Sequence, residues 1–178
     1  MPGRLELIYG CMFSGKTTEL IRRLTEAQAA GRRVVALKPA RDQRYAEREL
    51  VSHAGHSFPA VPIDGPGQIE SCAQGFDVVG LDEAHFYGLD VVEACCGLVA
   101  AGKRVIVAGV DIDHRGRPFV VFPPLQAAAD ELVHRTARCA RCGGEAEFSQ
   151  RMIEDDSPIV VGGADLYEPR CRFCFRRP

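Results

Sequence analysis

Short apolar runs alternate along the chain with longer stretches in which apolar positions recur every three or four residues. Residues 4–9, RLELIY, read as a strand ending at Gly10. Residues 16–30, KTTELIRRLTEAQAA, place Leu20, Ile21, Leu24 and Ala27 on one helical face, and Gly31 is a natural stop for that helix. RRVVALKPA follows as a buried strand, so the chain opens on a β-α-β unit. Two further apolar runs, 76–81 (FDVVGL) and 104–110 (RVIVAGV), flank a helix predicted over 88–101. This alternation predicts an α/β fold, with a mainly parallel sheet covered by helices on both faces. Residues 41–67 break the rhythm: charged at first, then rich in Gly, Pro and His, they predict a long functional or mobile loop with one short strand. Past residue 130, ELVHRTARC and EAEFSQRMI predict short strands flanking cysteine pairs, with a boundary at 130–138 between a domain over 1–135 and a small lobe over 136–178.

A chain of 178 residues suits one ordinary domain that buries roughly 70% of its unfolded surface. Its net charge of −2 and pI of about 6.2 leave no global basic footprint for nucleic acid. Arg170, Arg172, Arg176 and Arg177 cluster near the C-terminus and read as a solvated tail. The opening MPGRLELIYG lacks the apolar core of a signal peptide. No run approaches the ~18–20 apolar residues of a membrane span, so the expected location is cytoplasmic. In that reducing compartment eight cysteines are not read as four disulfides. Cys72, Cys95 and Cys96 read as small buried hydrophobes. Cys139-x-x-Cys142 and Cys171-x-x-Cys174, separated by 28 residues, suit a tetrahedral four-thiolate zinc site. With no open position, such a zinc would be structural. Disulfides, or a zinc ribbon that binds nucleic acid, are the alternatives.

Two motifs carry chemistry. GCMFSGKT, Gly10 to Thr17, fits G-x-x-x-x-G-K-[ST] between a strand and a helix. Gly10 and Gly15 let the intervening Cys11, Met12, Phe13 and Ser14 curl so that backbone N–H groups face phosphate oxygens, where the helix dipole adds positive potential. Lys16 then reaches the β- and γ-phosphates of a nucleotide such as ATP, and the Thr17 hydroxyl suits Mg²⁺. The fold expected is therefore α/β, a phosphate-loop (P-loop, RecA-like) sheet with a small C-terminal zinc-binding lobe. VVGLDEAHFYG, residues 78–88, carries Asp82 to a strand tip, where it suits the same Mg²⁺. Glu83 suits a general base acting on water or on a substrate hydroxyl. The spelling DEAH, Asp82-Glu83-Ala84-His85, suggests a helicase. A helicase of that kind needs two RecA-like domains, and this chain has room for one.

GCMFSGKTTEL, KPARDQRY, LDEAHFYG, GVDIDHRGRPF, CARCGGEAEFSQR and VGGADLYEPRCRFC occur in this order, and the likeness runs from about residue 4 to residue 174. Together they resemble the type II thymidine kinase family. The resemblance implies ATP-dependent phosphorylation of the 5′-hydroxyl of thymidine, and of deoxyuridine, in nucleotide salvage, with Glu83 as base. It places ATP at residues 10–17 and 82–85, with Asp42 near Mg²⁺ and Arg44 on the phosphate side. It makes 143–170 a zinc-tethered lasso whose segment Pro158, Ile159, Val160, Val161 and Gly162 closes over the base, with Tyr167 touching substrate. It puts Phe86, Val110 and Phe119 around the thymine and Met12 and Ser149 near its methyl. It also implies a homotetramer and feedback inhibition by dTTP. The chain departs from the family pattern at His85, where Gln is usual, at Tyr87, where Phe is usual, and at His114, where a Phe stacks near the base. Cys11 stands where Pro or Ser is usual and is expected to make the loop oxidation-sensitive. The two other readings are a nucleoside kinase of this architecture with a shifted base preference and a zinc-ribbon ATPase stimulated by nucleic acid.

Overall fold

Six strands lie side by side, and all point the same way. The computed structural model of the protein describes residues 2–42, 48–155, 157 and 159–177. Its elements are β1 (Arg4–Gly10), α1 (Lys16–Ala29), β2 (Val34–Pro39), β3 (Glu49–Val51), β4 (Ser57–Pro59), β5 (Val61–Ile63), α2 (Ile69–Cys72), β6 (Val78–Leu81), α3 (Asp90–Ala100), β7 (Arg104–Gly109), α4 (Phe122–Ala128), β8 (Glu131–Arg135), β9 (Ala137–Arg138), β10 (Glu145–Ala146), β11 (Phe148–Arg151) and β12 (Tyr167–Arg170). The main sheet runs β5-β2-β6-β7-β1-β8, with every neighbouring pair parallel. The carboxyl ends of all six strands therefore share one edge, which is where ligands of open parallel sheets bind.

The period-2 alternation of each strand divides the core into two layers. Leu5 and Leu7 of β1, with Val105 and Val107 of β7, pack against Val91, Cys95 and Leu98 of α3 and Phe122 and Leu125 of α4. Ile8, Ala36, Val78, Ile106 and Ala108 face Leu20, Ile21, Leu24 and Ala27 of α1. Gly80 permits the close seat of α1, since a Cβ there would stand 2.8 Å from Leu24 Cδ1. At the amino edge, Glu6 is buried, and its carboxylate takes the Arg104 guanidinium in bidentate fashion at 2.7 and 3.0 Å, with Arg23 alongside. Burial opposes its charge, yet hydrogen bonds from Arg104 and Arg23 prevail and hold its pKa below the usual range.

The predicted β-α-β opening, the later strands and the helix at 88–101 are all present. The 41–67 segment is richer than expected. Its described residues form the antiparallel pair β3/β4 and then β5, the outer strand of the sheet. Leu50 and Phe58 bury against α1, an apolar pair that the surrounding charge hides in the sequence. The cysteine expectation needs amending: Cys95 is buried, Cys72 half-buried, and Cys96 exposed, one position round α3 from Cys95. The arginine cluster is not all tail. Arg170 lies in β12 beside Glu168, whereas Arg172, Arg176 and Arg177 are exposed.

Tyr87 packs in the α3 layer with its hydroxyl buried and, among the described residues, without a hydrogen-bond partner. An orphaned buried hydroxyl costs about 1–3 kcal/mol. Tyr87→Phe should therefore stabilise the protein by about 1 kcal/mol in urea unfolding at constant slope. A loss of stability would show that the hydroxyl has a partner after all.

Candidate active site

The loop after β1 is shaped by its first residue. Gly10 has φ 142°, and a Cβ there would lie 1.9 Å from the Arg135 carbonyl oxygen of β8, so only glycine fits. Within the loop Ser14 Oγ donates to the Cys11 carbonyl at 2.8 Å, and Lys16 Nζ donates to the same oxygen at 2.6 Å. Lys16 is buried, which lowers its pKa against the pull of the Glu83 charge. The Cys11 side chain does not meet the oxidation-sensitive expectation: it is fully buried, donates to the Ala146 carbonyl at 3.3 Å, and burial raises its pKa. Met12 N–H donates to Ser149 Oγ at 2.9 Å.

At the tip of β6, Thr17 Oγ1 donates to Asp82 Oδ2 at 3.0 Å, and Glu83 N–H donates to Asp82 Oδ1 at 3.0 Å. Burial, together with the Glu83 charge, pushes the Asp82 carboxyl up to about 7. Phe13 (φ 65°) and Glu83 (φ 52°) are the non-glycine residues with positive φ among those described, and both belong to this edge. Such strain collects where position matters more than stability. His85 Nδ1 accepts the Val110 N–H at 3.3 Å and lies 3.4 Å from Glu83 Oε2, while its ring packs on Phe86 and Phe119. Ala84 is buried in the core and lines none of the cavities described below.

Three cavities meet here. One, of about 310 Å³, is lined by Met12, Phe13, Gly15, Lys16, Thr17 and Glu83. A second, of about 40 Å³, is lined by Thr17, Asp42, Asp82 and Glu83, oxygen donors of the kind that suit Mg²⁺. The third, of about 50 Å³, is lined by Met12, Glu83, His85, Phe86, Val110, His114, Phe119, Ser149, the 159–162 segment and Tyr167. Every described residue expected around the nucleoside thus faces one pocket; Arg44 and Pro158 lie outside the described residues. Sequence reading missed His53 and Arg151. His53, from the β3–β4 turn, packs against Phe13 with ring centroids 4.9 Å apart and the planes tilted by 51°, and lines the first two cavities beside Thr17 and Glu83. Arg151 donates to the Asp155 and Ser157 carbonyls at 2.6 and 2.7 Å and to Tyr167 Oη, which in turn donates to the Val160 carbonyl at 3.0 Å. It braces the segment over the pocket. His53 meets a residue far earlier in the chain, Arg151 binds residues a short way further on, and no local spacing signals either role.

Behind the pocket, β9 pairs with β10 and β11 with β12. The Sγ atoms of Cys139, Cys142, Cys171 and Cys174 all lie within 4.8 Å of one another, with Cys142 and Cys171 3.6 Å apart, and none is in a disulfide. Sulfurs about 2.3 Å from a single tetrahedral ion stand about 3.8 Å apart, so the four fit one zinc. Burial opposes ionisation of Cys139, but backbone N–H groups near its sulfur hold it down at about 6. The Cys171, Cys142 and Cys139 sulfurs push Cys174 up to about 12. Thiols this close cannot all ionise without a cation among them.

A parallel α/β sheet with a phosphate loop, paired acids and an adjoining apolar pocket on its carboxyl edge defines a nucleotide-binding protein of the phosphate-loop class. The thymidine kinase family model matches residues 3–175. A thymidine kinase of Rhodothermus sp. (strain ITI 518) is 47% identical over 176 residues, covering 99% of this chain and 83% of that protein. Thymidine kinases of Bacteroides thetaiotaomicron and Coprothermobacter proteolyticus are 46% and 47% identical over 175 residues, covering 98% and 95% of this chain and 88% of each relative. The chain belongs to the thymidine kinase family.

An acid whose pKa is higher in the folded than in the unfolded chain binds its proton more tightly when folded. Stability without ligand therefore falls as pH rises from about 4, the unfolded value of Asp82, to about 7. Asp82→Asn mimics the protonated acid and can satisfy both Thr17 and the Glu83 N–H. The variant should be about 1–2 kcal/mol more stable than wild type in urea at pH 8, with the gap closing towards pH 4. A variant less stable than wild type at pH 8 contradicts this.

Proposed function

We propose that the protein transfers the γ-phosphate of ATP to the 5′-hydroxyl of thymidine, and of deoxyuridine, giving the 5′-monophosphate and ADP. One observation supports this reading: Glu83 lines all three cavities, which we assign to nucleoside, phosphates and metal. In this reading the Glu83 carboxylate takes the 5′-hydroxyl proton, the freed oxygen attacks the γ-phosphorus, and the bond to the β,γ-bridging oxygen breaks as ADP leaves. Lys16 gives up the Cys11 carbonyl to meet the phosphates, and backbone N–H groups of residues 13–17 face their oxygens. Thr17, Asp82 and Asp42 would hold Mg²⁺, which when bound neutralises phosphate charge. The closed αL turn at Glu83 fixes the base in position, so its orientation costs nothing further during reaction.

The 159–162 segment lines the nucleoside pocket. In this reading it closes over a bound nucleoside and excludes water from the phosphoryl group. Zinc on the four cysteines would tie 143–170, which contains that segment, into a closed loop, and we read residues 1–135 as the ATP-binding domain and 136–178 as the lobe that carries it. No helix among the described residues is long and apolar enough to cross a membrane. A cytoplasmic location, a homotetramer and dTTP inhibition belong to the same reading.

The test is ADP release with thymidine, deoxyuridine, deoxycytidine or single-stranded DNA as the sole addition. Thymidine should drive turnover, and Glu83→Gln should lower kcat at least about a hundredfold. His85→Gln should stay within a hundredfold in kcat/KM, because an amide oxygen can still accept the Val110 N–H. Stimulation by DNA alone, or full activity in Glu83→Gln, would overturn the proposal.

A further inference from the structure

Among the described residues lining the nucleoside pocket, His114 is the one whose buried hydrogen-bonding atoms have nothing to bond. It is 5% exposed, and neither Nδ1 nor Nε2 has a partner. The polar groups around it are engaged: Ser149 Oγ accepts the Met12 N–H, Tyr167 Oη is held by Arg151 and Val160, and His85 Nδ1 accepts the Val110 N–H. Native interiors rarely leave two nitrogens of one ring unsatisfied. The exceptions call for a reason, and here both atoms belong to a side chain that faces a ligand pocket.

The ring's charge state limits what it can read. Burial, with the positive charge of Arg151 next in weight and Arg115 and Arg117 behind, lowers the His114 pKa against the opposing pull of Asp113. At neutral pH the imidazole is therefore uncharged, with one nitrogen donating and the other accepting. A phenyl ring in the same place would offer dispersion and a quadrupole but no hydrogen bond. A site that hydrogen-bonds a substrate group discriminates against analogues lacking it far more sharply than an apolar pocket discriminates against a methyl.

We propose that His114 is a specificity-determining residue that relaxes thymidine selectivity toward pyrimidine deoxynucleosides whose ring carries a hydroxyl or amino group. The inference rests on the nucleoside-kinase reading above and adds the chemistry of the ligand group that the pocket accepts. A hydroxyl suits the ring well, since it can accept from one nitrogen-bound proton or donate to the bare nitrogen. An exocyclic amino group can donate to the bare nitrogen.

The experiment measures kcat/KM of wild type, His114→Phe and His114→Asn on thymidine, deoxyuridine, 5-hydroxymethyl-2′-deoxyuridine and deoxycytidine. Wild type should use the hydroxymethyl compound or deoxycytidine with an efficiency within tenfold of thymidine. In His114→Phe that ratio to thymidine should fall at least fivefold, while His114→Asn, which keeps a donor and an acceptor, should hold it within twofold of wild type. A ratio that falls less than fivefold in His114→Phe overturns the assignment, as does an equal fall in His114→Asn. If His114→Phe fails to fold, calorimetric binding to wild type decides: affinity for the better polar nucleoside within tenfold of thymidine supports the proposal, and weaker binding overturns it. Absence of turnover with every nucleoside would fail the kinase reading itself, whereas thymidine turnover with unmoved ratios fails His114 alone.

Discussion

Two hydrogen bonds tie the phosphate loop to the cysteine lobe: Met12 N–H to Ser149 Oγ, and Cys11 Sγ to the Ala146 carbonyl. The loop lines the larger cavity and, through Met12, also the pocket proposed for the nucleoside. Under that proposal its position relative to β10 and β11 sets the distance between phosphate and nucleoside. A phosphoryl transfer depends on that distance, because placement and charge stabilisation do most of its catalytic work. The parallel sheet makes this possible by delivering β1, β6, β7 and β8 to one edge, so the loop, the acids, the pocket wall and the entry to the lobe start as neighbours.

The two edges of the sheet differ in how they treat charge. At the amino edge Glu6 is buried but saturated with arginine hydrogen bonds, and its pKa falls. At the carboxyl edge Asp82 is buried beside Glu83, and its pKa rises. Lys16 is buried on a carbonyl, Glu83 sits in a strained turn, and His114 keeps two bare nitrogens. The first arrangement stabilises the fold. The second holds polar groups at a cost that phosphates, a cation and a nucleoside would each relieve, as expected of a site selected for binding over stability.

What the sequence revealed follows from how local each signal is. The β-α-β opening, the loop at 10–17, Asp82-Glu83 and the two cysteine pairs are carried by neighbouring residues, so spacing alone exposes them. The family resemblance drew in Phe86, Val110, His114, Phe119, Ser149 and Tyr167, whose convergence depends on chain packing that spacing does not encode. The β3/β4 pair, His53 over Phe13, Arg151 beneath the 159–162 segment and the burial of Cys11 escaped notice for the same reason. Cys11 is fixed by Ala146 and His53 by Phe13, both tens of residues away, while β3 pairs with β4 and Arg151 with Tyr167 within short loops that carry no marked motif.

The coupling between metal lobe and nucleotide edge is tested most directly by stripping zinc with a chelator under reducing conditions and titrating thymidine into the protein by calorimetry. Purified protein should carry one zinc per chain. Its removal should weaken thymidine binding more than tenfold and abolish thymidine-dependent ADP release, both restored by added Zn²⁺. Metal-free protein that binds thymidine with unchanged affinity would contradict a pocket held in place by the four cysteines.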